Sequence, residues 1–158
     1  MAKKDAKVRK QMGRSKGVAT TVKIKSELAF ESFIDPYKLT EIASSKTFKN
    51  GQWRSLTALE DFRNGIHKSV LPIDISKYKI LVISQVVPGR LIKTHKHDDE
   101  PQFRYILSGS FKLNGETYFT GDWVVVPKGY AYEIYTETGY TTMAGYGMSC
   151  ECSKAGGH

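Results

Sequence analysis

The chain has 158 residues, 40% hydrophobic and 25% charged, which is enough for one domain with a sizeable core and too apolar for wholesale disorder. No run reaches the roughly 18 apolar residues of a membrane helix, and the basic start MAKKDAKVRKQMGRSKG has no apolar stretch behind it, so neither a membrane span nor a secretory signal is expected. The formal charge of +8 is local: residues 1–25 hold nine of the 24 Lys and Arg against Asp5 alone, leaving fifteen basic and fifteen acidic residues beyond them. That tail lacks the interleaved aromatics of a base-stacking surface, so a nucleic-acid partner is not expected, and a cytoplasmic location is the default. Residues 1–25 read as a solvated basic tail, 26–50 as an extension with a short helix near Leu39–Ser44, and 51–152 as the folded domain. Residues 153–158 read as a second tail. A second short helix is expected between the turns Asn50–Gly51 and Asn64–Gly65, capped by Ser55, with Leu56, Leu59 and Phe62 on one face.

Beyond residue 67 the pattern turns to strands. KYKILVISQVV is followed by the turn Pro88–Gly89, then RLIKTHKH, the DDEP bend and QFRYILSGSFKL. Asn114–Gly115 is a type I′ hairpin signal. Glu116–Thr120, WVVVP, YAYEIY and TTMAGYGMSCEC follow, separated by Gly121–Asp122, Lys128–Gly129 and Thr138–Gly139. Eight to ten short strands between Gly, Pro and Asn turns predict an all-β sandwich or closed barrel.

The chemistry concentrates in PGRLIKTHKHDDEPQFRYILSG. His95 and His97, two apart on a strand, point to one face, and a convergent imidazole pair suits Fe, Ni, Mn, Zn or Cu. Asp98, Asp99 and Glu100 supply competing oxygen donors at a bend. Strand parity places Gln102, Arg104 and Ile106 on one face, with Phe103, Tyr105 and Leu107 on the other. A buried Arg104 needs a counter-charge, either Glu133 or another acid, or the carboxylate or other oxyanion of a substrate. Lys93 shares the parity of the two histidines and is a candidate to help. Tyr130 and Tyr132 share a face, and Tyr146 lies on the late strand, so all three are candidate pocket-lining groups. Trp53 and Trp123 read as core or interface aromatics. His67 is expected at the surface and His158 in the terminal tail. Cys150 and Cys152 form a CxC pair read as inert thiols.

The segment resembles the first motif of the cupin superfamily. Gly89 is followed by five residues, His95-x-His97, four residues, Gln102, six residues and Gly109. Gly121, five residues, Pro127-x-Gly129, two residues and Tyr132 resemble the second motif. The resemblance covers residues 89–132 in its motifs and about 50–150 with flanking strands. It implies a double-stranded β-helix (jelly-roll) barrel, similar to small single-domain cupins such as acetylacetone- or dihydroxyacetophenone-cleaving dioxygenases and related regulatory domains. It implies His95, His97 and Gln102 as metal ligands, with Glu100 as the alternative to Gln102. Fe(II) is the first choice of metal, with Zn, Ni or Mn as others. Two positions depart from the pattern: Gln102 stands where Glu is frequent, and Tyr132 where a third His is usual. On this likeness Tyr132 or Tyr105 passes a proton, and Arg104, Lys93, Tyr130 and Tyr146 bind a small oxygenated, anionic substrate. The function implied is a metal-dependent dioxygenase. A lyase or isomerase and a non-catalytic binding or regulatory domain are the alternatives. A homodimer through an edge strand from residues 26–50 is also implied.

Overall fold

The computed structural model describes residues 33–59 and 65–147. The basic tail, Phe62, Asn64, Cys150, Cys152 and His158 lie outside the described residues, as do the first residues of the extension. Eight strands are present: β1 (Ala43–Ser44), β2 (Ile80–Val86), β3 (Arg90–His95), β4 (Gln102–Leu113), β5 (Glu116–Phe119), β6 (Trp123–Val126), β7 (Tyr132–Thr136) and β8 (Tyr140–Tyr146). One helical turn, α1 (Trp53–Leu56), lies between β1 and β2. No helix among the described residues is long and apolar enough to cross a membrane.

All ladders are antiparallel and β4 is their spine. Its first half runs between β6 and β8, with β1 beyond β6 and β2 beyond β8. Its second half runs between β5 and β7, with β3 beyond β7. The change of partners falls at Gly109–Ser110, just past a register shift against β8 between Ile106 and Ser108. Gly109 follows it at φ +75°, where a side-chain carbon would collide with the Gly139 carbonyl. The β4–β5 hairpin is closed by Asn114 and Gly115, both at positive φ as a type I′ turn requires.

The closed barrel expected from the sequence is not formed. The eight strands make one sheet that does not close on itself. Among the described residues β2 pairs with β8 alone and β3 with β7 alone. These two strands are consecutive, but the turn at Pro88–Gly89 sends them to different halves of the sheet instead of into a hairpin. The expected helix at Leu39–Ser44 is also corrected. A 3-10 turn covers Pro36–Lys38, capped by the Asp35 carboxylate, and Ala43–Ser44 pairs with β6 as β1. The second helix is shorter and earlier than expected. Ser55 lies within α1, its hydroxyl donating to the Gln52 carbonyl, and Thr57 ends the turn by hydrogen bonding to the Trp53 carbonyl at 2.8 Å.

The sheet has two faces with different cores. Ile106, Val124, Val126, Tyr132, Ile134 and Tyr140 pack inside, with Phe111, Leu113 and Tyr118 from the second half. Phe103, Trp123, Val125, Trp53, Tyr78 and Ile73 pack outside, under the N-terminal segments. Trp53 meets Trp123 edge-on at 6.1 Å and Tyr78 meets Phe103 at 5.9 Å. Burial of this many aromatic and β-branched side chains on both faces is what holds the short strands in register.

Candidate functional site

The site lies at the end of the inner core where β3, β4, β7 and β8 meet. Ile92 pairs with Ile134 and His95 with Tyr132, so β3 spends three residues against two of β7. This bulge at Lys93 and Thr94 breaks the two-residue parity. Ile92 and His95 both turn inward, whereas Lys93 is exposed and the Thr94 hydroxyl faces Glu133 on the outside. The His95 ring sits 4.5 Å from the Tyr132 ring, and His97 lies 5.3 Å from His95 and 6.2 Å from Tyr132. The carbonyl of His97 accepts from the Gly129 amide at 2.6 Å. The Pro127-x-Gly129 turn thereby pins the chain just past the second histidine.

His95 Nδ1 lies 2.9 Å from the Lys93 carbonyl, which accepts its proton and leaves Nε2 as the ring nitrogen open to a ligand. His97 Nε2 is buried with no hydrogen-bond partner. Burial, then the charges of Arg104 and His95, lower the His97 pKa to about 4, so the ring is neutral at pH 7. Asp98 opposes that shift only weakly, being exposed and paired with Lys96 at 2.8 Å. Asp99 is exposed too.

Gln102 and Arg104 enter from β4. Gln102 is 1% exposed. Its amide nitrogen donates to Glu100 Oε1 at 3.4 Å, and its Oε1 has no partner. Glu100 is buried beside it, its other oxygen packed over Gly147 so closely that a side chain there would collide. Arg104 is 9% exposed, with Nη1 unpartnered and the guanidinium carbon 5.5 Å from the Tyr132 ring centre. Burial opposes its charge, but Tyr132, Tyr146 and Tyr140 hold its pKa above the ordinary value. The expected partner Glu133 is exposed and faces Thr94. The ion pairs described (Asp35–Lys38, Lys46–Glu116, Asp74–Lys77 and Lys96–Asp98) all lie elsewhere.

The structure therefore brings His95, His97, Arg104 and Tyr132 together, with Tyr146 buried at the end of β8 near Arg104. Gln102 shares the inner face with Arg104, since both lie in register with inner-core Val126 and Val124. Tyr105 packs on the outer cluster, Tyr130 is exposed at the 127–130 turn, and Lys93 is turned out by the bulge. Tyr140 and Thr142 were not singled out by the sequence. They share a face of β8 with Tyr146, and the two-residue alternation Tyr140, Thr142, Ala144, Tyr146 is the signal that marks them. A recess of about 800 Å³ runs along β3 from Arg90 to His95.

Among the described residues no three His, Cys, Asp or Glu side chains converge into a metal-binding group. The candidate donors are the two imidazoles and, on the same inner face, the Gln102 amide oxygen, with a phenol beside the imidazoles. That set fits a borderline divalent ion on nitrogen and oxygen, without an anionic ligand and with Arg104 close by.

No protein-family model matches the chain, and no curated protein does. Solved structures similar to it in part include a cupin-2 domain-containing protein from Shewanella frigidimarina (18% identity, TM-score 0.37, 40% of this chain and 65% of that one). Another is described as a predicted oxalate decarboxylase from Thermotoga maritima (27%, 0.37, 44% and 65%). A third is KdgF from a Halomonas species (20%, 0.38, 54% and 79%). The chain thus spans 65% of the length of the first two.

Proposed function

We propose that this chain is a cupin-type small-molecule protein in which His95, His97 and Gln102 hold a divalent metal and Arg104 engages a small oxygenated anion beside it. One observation carries the reading: His97 Nε2 and Gln102 Oε1 are buried without a hydrogen-bond partner, and Tyr132 Oη and Arg104 Nη1, also buried, have at most each other. Each such atom costs about 1–3 kcal/mol, more for the charged one, unless a ligand completes it. Buried unpartnered atoms also occur outside this set, at Tyr78, Trp123 and Thr142, but none of those is ionic.

In this reading the chain's own groups bind and orient. His95 offers Nε2 because Lys93 fixes its tautomer, and His97 offers Nε2 because burial keeps it neutral. Arg104 fixes an oxyanion end of the substrate. The buried Tyr132 hydroxyl, on a ring that lies against the His95 ring, donates a hydrogen bond to the reacting oxygen. When bound, Fe(II) would supply Lewis acidity and electron transfer with O₂, and Zn, Ni or Mn Lewis acidity. A dioxygenase is the finer form of this proposal. A ligand set without a carboxylate favours a second form, a binding or regulatory domain without turnover. A homodimer belongs to the same proposal.

Metal content after gentle purification, with anaerobic Fe(II) reconstitution and O₂ uptake on small oxygenated acids, tests it. Wild-type protein is expected to hold about one equivalent of a first-row metal. His95→Ala and His97→Ala are expected to bind at least about tenfold more weakly with the fold intact. Absence of any first-row divalent metal at micromolar concentration would end the metal reading. Metal without O₂ uptake or other turnover favours the binding domain.

A further inference from the structure

The outer face of the first half of the sheet is covered at one end and bare at the other. Gly145 lies in register between Leu81 and Phe103, and the Tyr78 ring covers it so closely that a side-chain carbon there would collide with the ring. In the next row Ile83, Met143 and Tyr105 lie in register. Met143 and Tyr105 still touch the outer cluster, but Ile83 is 61% exposed and Leu81 54%. Among the described residues β2 pairs with β8 alone, so its other edge is free. Its sequence, ILVISQV, holds no charged residue. A long apolar edge without charge is the kind of strand that folded proteins cover. The opposite edge, β3, is blunted by Arg90 and Lys93.

The chain itself carries a segment that suits this edge. In residues 21–31, outside the described residues, Val22, Ile24, Ser26, Leu28 and Phe30 alternate with Lys23, Lys25, Glu27, Ala29 and Glu31. A period of two with one apolar side fits a strand lying on an apolar surface. The described chain takes up beside that surface: Ile34 bridges to Ile73 and packs against the outer cluster that holds Tyr78, just before β2. We propose that residues 21–31 add to the free edge of β2 in the same chain, antiparallel to it, with their apolar side over Leu81 and Ile83. The direction follows from reach. Glu31 stands three positions before Ile34, a span of at most about 11 Å. β2 is roughly 20 Å long, so Glu31 reaches its start and not its end. Charge selects the edge: Lys23 and Lys25 meet no like charge along β2, as they would at Arg90 and Lys93. The short connection sets a millimolar effective concentration, which favours the same chain over a second copy. The inference is independent of the metal reading.

Hydrogen exchange on the full chain tests this, read by mass spectrometry over peptides from residues 18–33 and from β2. In the wild type, the amides of residues 21–31 are expected to exchange at least about tenfold more slowly than in the isolated peptide, equally at about 1 and about 100 µM protein. Ile83→Asp is expected to return them to the peptide rate while β4 and β6 stay protected. Leu28→Asp is expected to do the same and to speed exchange in β2. Leu91→Asp, on β3, is expected to change neither. Peptide-like exchange of residues 21–31 in the wild type overturns the proposal. Protection that grows with protein concentration as dimers form seats the segment on a second copy, and overturns it too. So does protection that survives Ile83→Asp, release by Leu91→Asp with β4 and β6 still protected, or β2 exchange that Leu28→Asp leaves unchanged. Leu28→Asp alters none of the described strands, so its arm stands even where Ile83→Asp fails to fold.

Discussion

The two faces of β4 are built from alternate residues of one strand and do opposite things. Phe103 and Tyr105 enter an aromatic cluster with Trp53, Tyr78 and Trp123. Gln102 and Arg104 enter a pocket where a guanidinium nitrogen and an amide oxygen lack hydrogen-bond partners. The outer face shows what packing alone achieves: rings at 5.9–6.1 Å in tilted and edge-on contact, with two aromatic polar atoms, on Tyr78 and Trp123, as its unpartnered exceptions. The inner face departs from packing in its ionic content, which burial of apolar surface does not account for.

The sharpest way to separate the faces is to damage one and read the other. Phe103→Ala removes a ring with no solvent exposure and is expected to cost about 3–5 kcal/mol in denaturant unfolding. Metal affinity per folded molecule should not move. If it fell in step with stability, the two faces would be one unit and the comparison would fail. Gly109→Ala tests the joint at which β4 passes from one half of the sheet to the other. A left-handed φ and a collision with the Gly139 carbonyl together predict a loss of about 2–4 kcal/mol. Unchanged stability would show that the strand crosses over without needing a glycine there.

Part of this strand was legible in the sequence, and the reasons are local. Asn114–Gly115 names its own turn type, whereas Gly109 entered only as a motif position and the change of partners beside it was not foreseen. The inner and outer sides of residues 102–106 followed from simple alternation. What failed was non-local. Closure depends on whether β2 and β3 find further partners, and no run of residues encodes that. Ala43–Ser44 is a strand only because β6 lies beside it. The inward turn assigned to Lys93 assumed unbroken parity, but a bulge costs one residue and leaves no mark in composition. The placement of Glu100 depends on Gly147, 47 positions later.

Arg104→Met gives a smaller effect of opposite sign. Replacing a buried cation that no described carboxylate pairs with by an apolar chain of similar length is expected to raise stability by about 1–3 kcal/mol. Small carboxylates should stabilise the wild type against heat and leave the variant unaffected. A variant less stable than wild type would mean that Arg104 is a structural group, and the inner face would then resemble the outer one.

The smallest effect is a pH dependence confined to the inner face. His97 takes up a proton near pH 6.5 when unfolded, but only near pH 4 in the folded, metal-free protein. Folding is therefore favoured fully above pH 6.5, and this contribution is lost progressively as the pH falls toward 4. Because the ring is only half-buried, the loss is about 1 kcal/mol once solvent screening is allowed for. It should appear as a drop in the urea midpoint of wild-type protein between pH 7 and 4.5 that is absent in His97→Gln. Arg104→Met should shrink the drop as well, because the guanidinium is one of the causes that hold the ring neutral. Equal slopes in all three proteins would mean that His97 does not face Arg104 across the pocket, and that the inner face is not electrostatically one site.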